Sequence, residues 1–156
     1  MEKAEKTDLL ADKQQTQDQT ASAAEPKAFA GKIIVAVDDM FFAAKILGAA
    51  HSVNRQVERV KTQKQIVECL SNSAIALLIL DLNSVQLNPL EVITSFKSNP
   101  ALAAIPILGF LSHVQIDLKR KAEQLGCDYV MARSAFSQTL SKILIGKMPK
   151  SSAKSE

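Results

Sequence analysis

Two apolar runs in this chain end on acids. The run Lys32 to Val37, KIIVAV, leads directly into Asp38 and Asp39, and the run Ala76 to Leu80, ALLIL, leads into Asp81. Three carboxylates brought together repel and raise one another's pKa unless a cation or hydrogen-bond donors offset their charge. A hard divalent ion, Mg2+ above all, suits such oxygen ligands in an open, partly hydrated site. Taken singly, an acid behind a strand is equally often the cap of the following helix, and Asp39 fits that role as well as a ligand's.

Whether the acids meet depends on the elements that carry them. Short continuous apolar runs alternate with segments of helical period, the pattern of a parallel sheet covered by helices on both faces. The runs are Lys32 to Val37, Ala76 to Leu80, Ile105 to Phe110 and Asp128 to Ala132, with a more polar one at Gln56 to Val60 that suits a sheet edge. Between them, Thr62 with Gln65 and Ser112 with Gln115 have capping-box spacing. Asn88 precedes Pro89 at a first helical position. The fourth helix carries its stripe at Val114, Leu118, Ala122 and Leu125 and stops at Gly126. The expected fold is α/β, a flavodoxin-like (βα)5 doubly wound parallel sheet of five strands in order 2-1-3-4-5. In that order the crevice at the strand ends opens between strands one and three, where all three acids fall.

The 156 residues allow one such domain, expected over 31–145, with a polar disordered tail at 1–30 and a flexible tail at 146–156. The net charge of +3 is not gathered into a basic arm, since residues 1–30 hold six acids against four lysines. With six Phe, one Tyr and no Trp, stacking platforms for single strands are also lacking. No nucleic-acid partner is expected. No run is long enough for a membrane helix, and two unclustered cysteines, Cys69 and Cys127, suit a reducing compartment. A cytoplasmic protein without a membrane partner is expected. His51 and His113 lack a second ligand nearby. No Gly-rich phosphate loop, GxSxG elbow or second acid two residues after Asp81 supports a hydrolase or transferase, so a signalling or binding module is expected rather than an enzyme.

Over 31–145 the sequence resembles the receiver domain of two-component response regulators. The blocks that carry the resemblance are IIVAVDD, LLILDLNS, IPIL and GCDYVMAR, and their spacing is similar to the family's. The resemblance implies that Asp38, Asp39, Asp81 and the backbone carbonyl of Asn83 hold Mg2+, and that Asp81 is the phosphoacceptor. It further implies a sensor histidine kinase or phosphotransfer protein as donor, and a downstream protein docking on the face of the fourth and fifth helices. The chemistry is transfer of a phosphoryl group from phosphohistidine to a carboxylate, in which positioned cations and donors do most of the catalysis.

The chain also departs from the family pattern. The hydroxyl expected at the end of the fourth strand is Leu111; Ser112 follows, and serves either as a weak substitute or as the helix cap of the spacing above. The family's lysine at the end of the fifth strand corresponds to Arg133, a planar fork that either clamps a phosphate or pairs permanently with Asp81 or Asp38. The usual cis-proline is Ser134, so a trans bond is expected. The aromatic switch is Val130, with Tyr129 on the other face. Met40, Phe41 and Phe42 are apolar beside a polar crevice, explained by core packing for some and a partner surface for the rest. Two readings result: a stand-alone receiver phosphorylated at Asp81, or a degenerate pseudo-receiver acting as a phosphorylation-independent protein-binding module.

Overall fold

A computed structural model describes residues 31–72, 74–112 and 115–149. The segments 1–30 and 150–156, together with Ser73, His113 and Val114, lie outside the described residues. The chain alternates strand and helix: β1 (Lys32–Ala36), α1 (Met40–Ser52), β2 (Val57–Val60), α2 (Gln63–Asn72), β3 (Ile75–Asp81), α3 (Pro89–Ser98), β4 (Ile107–Leu111), α4 (Ile116–Leu125), β5 (Tyr129–Ala132) and α5 (Arg133–Leu144). All strands pair in parallel in the order β2-β1-β3-β4-β5, as expected, with β2 at an edge.

The three central strands are apolar at nearly every position because helices cover both faces of the sheet. Ile33, Val35, Leu77, Ile79, Leu108 and Phe110 turn toward α1 and α5. Ile34, Ala36, Leu78, Leu80, Ile107 and Leu111 turn toward α2, α3 and α4. β3 runs one residue further than its apolar run, so that Asp81 is itself a strand residue paired with Phe110. β4 begins at Ile107, later than the Ile105 expected, because Pro106 has no N–H for the ladder and contributes only its carbonyl, to Leu78 N–H at 3.0 Å.

The capping signals fare differently from one another. Thr62 and Gln65 form the reciprocal box: Gln65 N–H donates to Thr62 Oγ1 at 3.1 Å, and Gln65 Oε1 accepts from the N–H groups of Lys61 and Thr62 at 2.6 and 3.3 Å. Asn88 adopts a left-handed conformation (φ 54°) and caps α3 by its backbone carbonyl alone, ahead of Pro89. The box expected at Ser112 does not form. The residue preceding α4 is Gln115, and both partners of that pair are engaged with Asn83 instead. Gly126 ends α4 at φ 111° as expected, a conformation a side chain would strain. Past α5, Lys147 N–H reaches Lys142 O at 2.9 Å around Gly146, and Met148 packs back on the α1 and α5 core.

Candidate functional site

Asp81 is only 4% exposed. The strand carries it to the end of β3, where two donors face it. Asn83 N–H donates to Oδ1 at 2.9 Å, and Arg133 Nη2 lies 3.9 Å from Oδ2. Burial pushes the Asp81 carboxyl above its usual range; the Asn83 amide and Arg133 pull the other way, while Asp38 and Asp39 add to the rise.

Asp38 sits across the switch point on the loop after β1. Its Oδ2 accepts from Ser84 Oγ at 2.7 Å, while its Oδ1 is buried without a hydrogen-bond partner. Ser84 in turn accepts from Leu87 N–H at 3.0 Å, which ties the loop after β3 to the loop after β1. Arg59, from the edge strand β2, donates to the carbonyls of Val37 and Asp38 at 3.2 and 2.9 Å. Neither Ser84 nor Arg59 was singled out in the sequence. The serine lies three residues past Asp81 in a turn, and no short-range pattern ties β2 to the acid pair.

Asp39 performs the capping role. Its Oδ1 accepts from the N–H groups of Phe41 and Phe42 at 2.9 and 3.1 Å, while its Oδ2 is 3.3 Å from Arg133 Nη1. The Phe42 amide is the largest influence holding its carboxyl below the usual range, with the Phe41 amide and Arg133 adding to it. Arg133 therefore bridges Asp39 and Asp81. Of the two pairings expected, the one with Asp81 is made and the one with Asp38 is not, since Asp38 Oδ2 is taken by Ser84 and Asp39 is the second partner instead. Arg133 is the first residue of α5 rather than the end of β5. Its guanidinium rests on a buried aromatic group, 4.7 Å from the Phe42 ring centre and 5.5 Å from that of Phe110. Phe110 stacks in turn on Phe136 at 4.9 Å.

Asn83 was expected to act through its backbone carbonyl, but its side chain also forms a bridge. Oδ1 accepts from Ser112 N–H at 2.7 Å, and Nδ2 donates to Gln115 Oε1 at 2.9 Å. Ser112 itself is exposed and does not cap α4. Leu111 is buried in the α2, α3 and α4 core, as is Val130, whereas Tyr129 faces α1 and α5. No hydroxyl stands at the Leu111 position and no aromatic ring at the Val130 position. There is no cis peptide bond among the described residues, Ala132 to Ser134 included. Of the apolar trio, Phe42 is in the core, whereas Met40 and Phe41 are 69% and 90% exposed at the crevice rim.

Among the described residues, no three carboxylate, imidazole or thiol side chains are drawn into a compact metal-binding group. The three acids line one end of the sheet, but Arg133 is interposed between two of them. The donor set nonetheless fits a divalent cation in one respect. Asp38 Oδ1 is a buried anionic oxygen with no donor, which a hard cation would satisfy.

No family model matches the sequence, and no curated protein matches it. Solved structures do match in fold. The signal receiver domain of a DNA-binding response regulator from Colwellia psychrerythraea is 17% identical at a TM-score of 0.63, covering 72% of this chain and 96% of that one. The chemotaxis response regulator CheY4 of Vibrio cholerae is 14% identical at a TM-score of 0.65, covering 75% of this chain and 98% of that one. The Mn2+-bound form of the response regulator Rcp1 is 16% identical at a TM-score of 0.61, covering 76% and 97%. The five-stranded order, the acids at the switch point and these neighbours agree: the chain has the fold of a response-regulator receiver domain.

Proposed function

We propose that this chain is a receiver domain of two-component signalling, accepting a phosphoryl group on Asp81 and acting through contact with another protein. The observation that supports it is the setting of Asp81. One carboxylate at the end of β3 is held by the Asn83 amide, faced by the Arg133 guanidinium and flanked by Asp38 and Asp39. In the transfer, an Asp81 oxygen attacks phosphorus as the P–N bond of a phosphohistidine breaks; the electron pair leaves with the imidazole, which takes a proton from water. The attacking group must be the carboxylate, and Arg133 favours that form. Arg133 and the Asn83 amide, both facing the Asp81 carboxylate, would also offset negative charge on the transferring group. Asp38, Asp39, Asp81 and the Asn83 carbonyl would hold Mg2+, and the Mn2+ held by the neighbour Rcp1 supports a divalent ion at such a site. The ion would supply charge neutralisation during transfer.

The donor is a histidine kinase or phosphotransfer protein, and the output is a docked protein on the α4 and α5 face. A cytoplasmic site of action belongs to this reading, and no described helix is long and apolar enough to cross a membrane. A second reading is favoured by Arg133 itself. Stacked on Phe42 and paired with Asp39 and Asp81, it supplies the pocket with an internal cation, as a phosphorylation-independent docking module would need. Intact-mass spectrometry after incubation with Mg2+ and acetyl phosphate, beside Asp81→Asn, decides between the two. One phosphoryl adduct on the wild type and none on the variant supports the receiver reading; no adduct with this donor or with phosphorylated histidine kinases supports the docking module.

A further inference from the structure

The carboxamide of Asn83 links the loop beside Asp81 to the head of α4. The register pairs Asp81 with Phe110, and Leu82 N–H bonds Phe110 O at 2.9 Å, so the end of β4 runs directly beside the Asp81 loop. Two residues past Phe110, the backbone N–H of the exposed Ser112 is taken by Asn83 Oδ1 at 2.7 Å. The other end of the same carboxamide holds Gln115 Oε1 at 2.9 Å, on the residue whose carbonyl accepts from Lys119 N–H and opens α4. The Asn83 backbone N–H meanwhile bonds Asp81 Oδ1 at 2.9 Å. One residue thus contacts the reactive carboxylate, the end of β4 and the start of α4.

We propose that Asn83 is the positioning residue that couples the state of Asp81 to α4. Resting on the receiver reading above, this assigns the coupling that the family's hydroxyl and aromatic ring cannot provide here, since those places hold the buried, apolar Leu111 and Val130. A phosphoryl group on Asp81 brings three strong acceptor oxygens to the side of β3 that faces Ser112. They compete with Asn83 Oδ1 for the Ser112 N–H. When the carboxamide yields, its hold on Gln115 is released, and the first turn of α4 changes its surroundings on the face assigned to the partner. Ser112 contributes through its backbone, so its failure to cap α4 leaves it free for this role.

The test uses backbone amide NMR on the full chain with Mg2+, with and without beryllium fluoride, a tetrahedral phosphoryl mimic that bonds to a carboxylate oxygen. In the unliganded wild type, the Ser112 amide is expected to exchange slowly despite its exposed side chain, and about tenfold faster in Asn83→Ala. Adding the mimic is expected to shift the Ser112 and the Ile116 to Leu118 resonances together in the wild type. In Gln115→Ala, which keeps the Asn83–Ser112 bond and removes no side-chain cap, Ser112 is expected to shift while Ile116 to Leu118 stay in place. Equal Ser112 exchange in wild type and Asn83→Ala overturns the proposal, as does an undiminished α4 response in Gln115→Ala, even if Asp81 is occupied. An Asp81 that binds no mimic in any variant, and no phosphoryl group in the mass experiment, removes the receiver reading and this coupling with it.

Discussion

The guanidinium carbon of Arg133 lies 4.7 Å from the centre of the Phe42 ring, and this contact joins the acid crevice to the hydrophobic core. The ring belongs to the residue whose backbone N–H Asp39 caps, so the first turn of α1 and its cap together supply the cation's aromatic seat and one of its carboxylates. Arginine suits this place because its planar group stacks while its edges reach two acids, which a lysine ammonium does not do.

Replacing Arg133 by Lys is accordingly expected to lower stability by ~1 kcal/mol through the lost stacking, although the charge is kept. Urea denaturation of the wild type, Arg133→Lys and Arg133→Gln checks this. Equal stability of the wild type and the lysine variant would show that the stacked geometry contributes nothing.

The two neighbouring phenylalanines should behave oppositely. Phe42 is packed against Phe110 and Phe136, with ring centres 5.0 and 5.8 Å away, and Phe42→Ala is expected to cost about 4 kcal/mol by leaving a cavity. Phe41 is 90% exposed, and Phe41→Ala is expected to change stability by less than about 0.5 kcal/mol. Any loss of partner binding in the second variant would therefore belong to the surface.

Asp81 is a charge held in a buried place at the expense of stability. Asp81→Asn keeps the acceptor for the Asn83 amide and removes the charge, so a gain of ~1 kcal/mol is expected, kept small because the Asn83 amide and Arg133 already offset part of that charge. The sign with pH follows from the upward shift. Between its raised folded pKa and the ordinary value of 3.8, the folded carboxyl binds a proton that the unfolded chain does not. The Asp81 penalty is therefore full above that window and relieved as the pH falls through it. The stability difference between wild type and variant should shrink toward pH 4, and a constant difference would contradict the shift.

Cys127 is fully buried, and burial pushes its thiol up to about 12. The folded thiol keeps its proton while an unfolded one loses it near pH 9, so its contribution to stability is present below about pH 9 and lost between there and about pH 12. Native protein at pH 8 is expected to resist alkylation at Cys127, whereas urea-unfolded protein reacts at both cysteines. Mass mapping of the modified residue reads this directly, and rapid native labelling of Cys127 would contradict its burial.

Much of the architecture could be read in advance because it rests on local regularities. Unbroken apolar runs mark strands covered on both faces, Gly126 marks the end of α4, and the Thr62 and Gln65 box needs only its own four residues. Acids behind the first and third runs could be placed at one crevice because parallel order fixes which strand ends adjoin. The Ser112 and Gln115 spacing was equally regular and yet misleading, since a long-range bond to Asn83 displaced the local cap.

The alternation of strand and helix, the two sheet faces and the end of the sheet where the acids lie all follow from side-chain period and turn chemistry within a few residues. Only the packed fold shows that Asp39 joins Asp81 as a partner of Arg133 in place of Asp38, that Ser84 and Arg59 brace the acid loop, and that Asn83 spans Ser112 and Gln115. Those contacts join residues 21 to 94 positions apart. Most depend on the angles at which loops leave packed strands, which only the assembled core fixes.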